Sequence, residues 1–352
     1  MGNLRPIPTE DFADLALANR PGATDPHAHF DLLARIASRY YLDEMTQGEI
    51  AAEFHLSRQK VQRLLHEARE LRIVEIHVYA VPVLHLELEK KLKEVFGLTQ
   101  ALVAPTDSDE GRCRRSVTRA AAGYLQRYLR AGMVVTVGLG RNTSEVADAL
   151  RPQQAIGCSF VSAMGGSPNM NVSVSPNEVC TRLAARTGGR ARPLYAPAFV
   201  ESAAVRDLLY AQEAVAQPLE VARHADVALM GIGTTLEDSI LVRAACLSPM
   251  ESAHLQTVGA VGEIIGNFFD GHGRLVETEL NCRRVGLTLD ELRCIPQVVA
   301  VAGEEGKACA IYGALSTGVI GVLVTECRNA IAVLRLAGVT DLKEEHRFLE
   351  HA

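Results

Sequence analysis

From Thr46 to Leu65 the chain reads TQGEIAAEFHLSRQKVQRLL, two short helical segments joined by a tight turn. Thr46 is placed to cap the first segment, and Glu49 stands three residues on, where it closes a capping box. Ile50, Ala51 and Phe54 fall on one helical face. His55-Leu56 is the turn, and His55 stands where a left-handed backbone usually selects glycine. Histidine tolerates that conformation better than a β-branched residue does. Ser57 caps the second segment, whose Val61, Leu64 and Leu65 form its inward stripe. The spacing predicts a helix-turn-helix, with the small Ala51 where the helices cross and the second helix free to enter a major groove. Its outward set is Arg58, Gln59, Lys60, Gln62 and Arg63, with Ser57 at its start. Arg and Gln make forked hydrogen bonds to guanine and adenine edges. Between Arg58 and Arg72 five basic residues face two acidic ones. The competing reading is a surface hairpin with a solvated polar face. Small, turn and apolar residues all standing where the motif needs them favour DNA.

The flanks extend this unit. Phe30 to Tyr41 is amphipathic, with Leu32, Leu33, Ile36, Ala37 and Tyr40 inward, and supplies the first of three helices. Arg72 to Tyr79 alternates, the pattern of a short strand or wing. A winged helix-turn-helix domain is expected over residues 28–82. Residues 1–27, with Pro6, Pro8, Pro21, Gly22 and Pro26, read as a loosely packed arm. Residues 83–98 read as a linker helix with Leu84, Leu88, Leu92 and Phe96 four apart. It either pairs two chains or packs on its own domain. Residues 341–352 are a polar tail.

The texture changes at residue 99. Short β-rich runs end at glycines and alternate with helices: 101–104, 133–137, 160–163, 227–230, 298–302 and 319–325 are the runs. Helices are expected over 116–129, 143–150, 177–187, 307–315 and 327–336. Such alternation predicts a Rossmann-like parallel sheet covered on both faces, spanning 99–340. Ligands of such sheets bind beyond the strand C-termini, where strand order switches.

Two of the glycine loops suit an anion. Gly138-Leu139-Gly140-Arg141-Asn142-Thr143 follows a strand and opens a helix, whose N-terminus offers free N–H groups. It lacks the third glycine of a dinucleotide fingerprint and the Gly-Lys-Ser/Thr of a P-loop, so a single phosphate is the better fit. The competing reading is a plain strand-to-helix turn. Gly303-Glu304-Glu305-Gly306-Lys307 repeats the arrangement, with Lys307 expected in the first turn of a helix. A cation there opposes the helix dipole unless an anion is near. The two loops together point to a phosphorylated small molecule.

Composition narrows the classes. The net charge of −6 confines any DNA binding to a local basic surface. No run reaches the roughly 18 apolar residues of a membrane span, and no basic stretch precedes an apolar core at the N-terminus. The expectation is a cytoplasmic protein without membrane contact. Eight cysteines are scattered with no CxxC pair, so most are expected to be small buried hydrophobes in a reducing compartment. No zinc site and no other metal or cofactor is expected, since no Cys/His group has ligand spacing.

Several stretches carry a family likeness: VGLGRNTSEVADAL at 137–150, Gly165-Gly166 followed by Pro176-Asn177-Glu178, TGGRARPLYAPAFV at 187–200, ADVALMGIG at 225–233, GAVGEIIGNFFD at 259–270 and ETELNCRRVGLTLDELRCIPQVVAVAGEEGK at 277–307. On these the chain, over roughly residues 28–337, resembles the SorC/DeoR-type sugar-binding transcriptional regulators of bacteria. The larger domain of that family is similar to sugar-phosphate isomerases and glucosamine-phosphate deaminases. The resemblance implies a homodimer or homotetramer that binds double-stranded operator DNA and answers to a sugar, polyol or sugar phosphate. It implies phosphate contacts from Gly138, Gly140, Arg141 and Asn142, although Asn142 stands where the family usually has Thr. It implies effector contacts from Lys307 after Gly303, and hydroxyl contacts from Glu263, with Gly166 and Gly233 bordering the same pocket. No catalytic residue is implied. The rival class is an isomerase- or deaminase-like enzyme with a DNA-binding head, drawing its general base from Glu263, Asp226 or Asp270. His224, His254 and His272 are isolated in sequence.

Overall fold

A computed structural model describes residues 26–43, 45–71, 73–74, 83–236, 239–340 and 342. The chain divides into two compact units, Met1–Ala80 and Val81–Ala352.

The first unit holds three helices, α1 (Pro26–Tyr41), α2 (Gln47–Glu53) and α3 (Arg58–Glu70). α1 starts four residues before the expected Phe30, with Pro26 at its first position, where the fixed φ of proline suits a helix. The capping box forms in both directions: Thr46 Oγ1 accepts from the Glu49 N–H at 3.3 Å, and Glu49 Oε2 accepts from the Thr46 N–H at 2.8 Å. Ser57 Oγ accepts from the Lys60 N–H at 3.2 Å. Leu33, Ile36, Ala37, Ile50, Ala51, Val61, Leu64, Leu65 and Ala68 form one core. An ion pair of Arg39 with Glu53 at 3.0 Å and a hydrogen bond of His29 with Glu67 at 2.8 Å tie the helices across its rim. Of the expected arm over 1–27, residues 1–25 lie outside the described residues and 26–27 belong to α1; most of the expected wing and nearly all of the expected tail over 341–352 also lie outside them. Ile73 and Val74 are described, and both amides bond to the Ala68 carbonyl that ends α3.

His55 takes φ of +52°, as the turn requires. An L-residue held there carries about 1–2 kcal/mol of strain that glycine does not. His55→Gly is therefore expected to raise the unfolding free energy of this unit by up to about 1 kcal/mol, part of the relief being offset by the greater backbone freedom of the unfolded glycine. Thermal denaturation of the variant checks it; a lower melting temperature would show that the His55 side chain contributes more than its backbone costs.

The second unit opens with α4 (Val83–Phe96), followed by β1 (Gln100–Ala104), α5 (Glu110–Tyr128), β2 (Val134–Val137), α6 (Arg141–Ala149), β3 (Ser159–Ser162), α7 (Pro176–Thr187) and β4 (Arg190–Arg192). Then come α8 (Ala203–Tyr210), α9 (Glu213–Arg223), β5 (Val227–Gly231), α10 (Ile240–Arg243), α11 (Pro249–Thr257), a hairpin of β6 (Gly262–Ile264) and β7 (Asn267–Phe269), α12 (Glu279–Arg283) and α13 (Leu289–Arg293). β8 (Gln297–Ala302), α14 (Ala308–Ser316), β9 (Val322–Glu326) and α15 (Cys327–Leu336) complete it. Seven strands make one parallel sheet in the order β1-β9-β8-β5-β2-β3-β4. From β2 the chain steps outward through β3 to β4. It returns on the other side of β2 as β5 and steps outward again through β8 and β9. Strand order therefore switches between β2 and β5, and a crevice opens there beyond their C-terminal ends.

Alternation along the strands explains why the sheet is buried on both faces. Val227, Leu229, Val299 and Val301 pack with α5, α6 and α7 on one side. Ala228, Met230, Val298, Ala300 and Ala302 join a larger core on the other, with the hairpin residues Ile264 and Phe268 and with Leu88 and Leu92 of α4. Leu88 and Leu92 of the α4 stripe are thus buried within their own domain with Phe96 partly buried beside them, and Glu89 of the same helix accepts from the Val103 N–H of β1 at 2.9 Å. This matches the packing alternative of the two readings for Leu88 and Leu92; among the described residues of the helix, Leu86 and Val95 are the exposed large apolar side chains. The cysteines depart from expectation. Cys113, Cys158 and Cys180 are buried, Cys246 and Cys327 half-buried, and Cys282, Cys294 and Cys309 exposed, because the latter three sit in or beside short helices at the surface.

Candidate functional site

Three strands end at one cavity of about 290 Å³. β2 delivers Gly140, Arg141 and Asn142, β5 delivers Ile232 and Gly233, β8 delivers Glu304 and Lys307, and the hairpin inserts Glu263. The volume matches the lower end of small-molecule pockets. Leu236, Ser239 and Ile240 close another wall.

Gly140 caps α6 at φ of +140° and offers no side-chain bond to the first turn, so the leading N–H groups of α6 are not claimed by a cap. Gly233 is required by contact. It pairs with Glu263 through two backbone hydrogen bonds of 2.9 and 3.0 Å, and a Cβ added to it would lie 1.8 Å from Glu263 Oε1. Glu263 is 4% exposed, and its Oε2 accepts from the Gly266 N–H at 2.7 Å. Burial pushes its carboxyl above the usual carboxylate range, only partly offset by that N–H and by the charges of Lys307 and Arg284. The hairpin that carries it turns at Ile265-Gly266, with φ of +45° and +74°.

Lys307 is the N-cap of α14 rather than a residue of its first turn. Its Nζ lies 2.9 Å from Glu304 Oε2 and donates to the Ile232 carbonyl at 2.7 Å. Asn142 Nδ2 donates to the same Glu304 Oε2 at 2.8 Å, and Arg141 Nε stands 3.7 Å from Oε1. Burial pushes the Glu304 carboxyl up, but Lys307, Asn142 and Arg141 outweigh it and hold it below the ordinary range. The donors expected to meet a phosphate therefore already face a carboxylate.

Of the sequence-predicted effector residues, Gly140, Arg141, Asn142, Gly233, Glu263 and Lys307 converge on the cavity. Gly138, Gly166 and Gly303 are absent from its wall. Gly138 packs beneath Ile265 and Met230, Gly166 pairs with Pro197 in the loop after β3, and Gly303 abuts Arg114 and Val117 of α5. All three lie in loops outside the cavity wall. Glu304, Ser239 and Ile240 also line the cavity, without a sequence motif that marked them. Glu304 was visible as an acid three residues before Lys307, at odds with a simple phosphate loop. Two of the carboxylates weighed for catalysis serve elsewhere. Asp226 accepts from the Val134 N–H at 2.8 Å, at the opposite end of the sheet, and Asp270 accepts the turn amides of His272 and Arg274. No histidine lines the cavity among the described residues.

In the first unit Ser57, Arg58, Gln59, Lys60, Gln62 and Arg63 are all exposed along α3, on the side away from Val61, Leu64 and Leu65. Ser57 is engaged in capping. Among the described residues, Arg58, Lys60 and Arg63 pair with no carboxylate, whereas Arg35 and Arg39 of α1 do. Among the described residues no helix is long and apolar enough to cross a membrane.

A small-molecule cavity at the switch point of an α/β domain, carried with a helix-turn-helix, is the make-up of a ligand-responsive DNA-binding protein. Comparison with known proteins agrees. Residues 82–335 match the family profile described as "Putative sugar-binding domain". The transcriptional regulator LsrR of Enterobacter sp. (strain 638) is 33% identical over 336 residues, 93% of this chain and 97% of the relative. The erythritol catabolism regulatory protein EryD of Brucella abortus (strain 2308) is 29% identical over 305 residues, 86% of this chain and 96% of the relative. The crystal structure of the full-length sorbitol operon regulator SorC from Klebsiella pneumoniae superposes with a TM-score of 0.78 at 27% identity, covering 89% of this chain and all of that one. The chain belongs to the SorC/DeoR family of sugar-binding transcriptional regulators.

Proposed function

We propose that this regulator controls a carbohydrate or polyol catabolic operon and takes its effector, a small sugar, polyol or sugar phosphate, in the cavity between β2, β5 and β8. The observation that carries the reading is the convergence of Glu263, Glu304, Lys307, Arg141 and Asn142 on one cavity of about 290 Å³ at the switch point. Carboxylates, an amide and cations in one wall match the alternating donors and acceptors of a polyol. Any phosphate on the effector lies away from Glu304, which already holds Asn142 in the first turn of α6 and faces Arg141. The protein acts in the cytoplasm as a homodimer or homotetramer, so that two α3 helices meet two half-sites of a roughly palindromic operator. Effector binding shifts operator affinity because it favours one arrangement of the DNA-binding units over another. The chain works as a regulator without catalysis: Glu304 is committed to Lys307, and among the described residues no histidine lines the cavity to pair with Glu263 as acid and base.

The test is a thermal-shift panel of sugars, polyols and their phosphates on the full chain. A ligand at a hundredfold its dissociation constant is expected to stabilise by about 2.7 kcal/mol. Glu263→Gln, which keeps the shape and replaces the carboxyl by an amide, is expected to lose most of that shift. Stabilisation that is equal in wild type and variant would place the ligand elsewhere, and a panel that leaves wild type unmoved while operator binding persists would contradict the effector reading.

A further inference from the structure

Glu304 stands where the donors of the cavity meet. Its Oε2 takes Lys307 Nζ at 2.9 Å and Asn142 Nδ2 at 2.8 Å, and its Oε1 faces Arg141 Nε at 3.7 Å. Glu304 is 5% exposed, and the Asn329 side-chain amide donates to its backbone carbonyl at 2.8 Å, which fixes the loop. Lysine carries three N–H groups; Glu304 and the Ile232 carbonyl use two, and one remains. Asn142 is also fixed in sense. Its amide must turn Nδ2 toward the carboxylate, since the opposite orientation would set two acceptors against each other. Asn142 Oδ1 is then buried without a hydrogen-bond partner among the described residues.

We infer that Glu304 is a specificity-determining residue: it fills the anion position beside Lys307 and Asn142, so that this end of the cavity reads neutral hydroxyls and rejects a phosphate. This rests on reading the cavity as the effector site. A hydroxyl can donate to a Glu304 oxygen while accepting the remaining Lys307 N–H, satisfying both at once. A phosphate brought within about 4 Å of a buried carboxylate meets like-charge repulsion that the single lysine, already paired, does not cancel. The charge at this end is thereby balanced before any ligand arrives. Substituting the acid releases Lys307 and converts the wall from hydroxyl-reading to anion-reading.

The experiment is calorimetric titration of the full chain with inorganic phosphate, for wild type, E304Q, and E304Q combined with Lys307→Ala. Wild type is expected to bind phosphate weakly. E304Q is expected to bind it about tenfold tighter or more, the scale on which one neighbouring charge acts. The added Lys307→Ala is expected to abolish the gain. E304Q binding phosphate no tighter than wild type, with an unchanged circular dichroism spectrum, would overturn the inference, as would a gain that survives loss of Lys307. Should E304Q not fold, E304M removes the same charge and carries the same comparison. The effector reading stands or falls separately, on whether any sugar or polyol stabilises wild type through Glu263.

Discussion

Replacing Arg58 and Arg63 together by alanine is expected to weaken operator binding by about 2–6 kcal/mol, at roughly 1–3 kcal/mol for each forked contact to a base. The stability of the protein is expected to move by no more than about 0.5 kcal/mol, because exposed side chains without partners contribute little to folding. Both arginines lie on the exposed side of α3, and neither is held by a carboxylate among the described residues. By contrast Arg39 of α1 bridges Asp43 and Glu53 and is committed to the fold. Lys60→Ala should behave differently from the arginine pair. Loss of a phosphate contact weakens all duplexes alike and lowers the salt dependence by about one unit of slope. Fluorescence anisotropy on a duplex obtained by selection from random sequence, repeated at several salt concentrations, separates the two. Wild-type affinity in the double arginine variant would remove α3 from the interface.

Lys307→Ala is expected to destabilise the larger unit by about 3–5 kcal/mol at neutral pH, the scale of leaving one member of a buried ion pair without its partner. In a unit of this size that is a fall of roughly 6–20 °C in melting temperature. The direction with pH follows from Glu304. In the wild type its carboxyl is held below the ordinary range, so its contribution to stability is present above the unfolded value and is lost as pH falls through the folded one. Without the lysine, the burial that now opposes ionisation dominates, and the carboxyl rises above the ordinary range. The penalty is then full at neutral pH and fades as acid protonates the group. The variant should approach wild type between neutral pH and the carboxylate range, whereas the wild type itself loses stability further into acid. Adding Glu304→Gln to Lys307→Ala should recover most of the neutral-pH loss. Denaturant unfolding from pH 4 to pH 8 reads both effects, and a penalty that grew toward acid would contradict the assignment of charge in this pair.

The parts of the molecule that were legible beforehand are those whose signal is local. The capping box at Thr46 and Glu49, the left-handed His55 and the Ser57 cap are set by neighbours three or four residues away. The strand runs that end in glycine were legible for the same reason, since β5 and β8 alternate their residues between two buried faces and read as continuous apolar segments. β4 escaped notice because Arg190 and Arg192 are exposed on an edge strand of three residues, with no apolar pattern to mark it. The β6–β7 hairpin escaped because its turn is Ile265-Gly266, and a β-branched residue at positive φ is contrary to turn statistics. At the site, convergence of the loops after β2 and β8 was foreseen, but the identity of the partner was not. Which acceptor meets Lys307 depends on Glu304 turning toward the lysine three residues on and on Asn142 arriving from the start of α6, 162 positions away in sequence. Spacing along the chain carries no record of that encounter.

The central claim is that one chain joins a sugar-sized cavity to a DNA-reading helix and that the two are coupled. The most direct measurement is the affinity of the full chain for its selected duplex, with and without the compound that stabilises wild type through Glu263. Coupling of about 1–3 kcal/mol predicts a change of roughly 5- to 150-fold in duplex affinity, and by reciprocity the same factor in ligand affinity when the duplex is bound. A ligand that saturates the cavity and leaves duplex affinity unchanged would contradict the account.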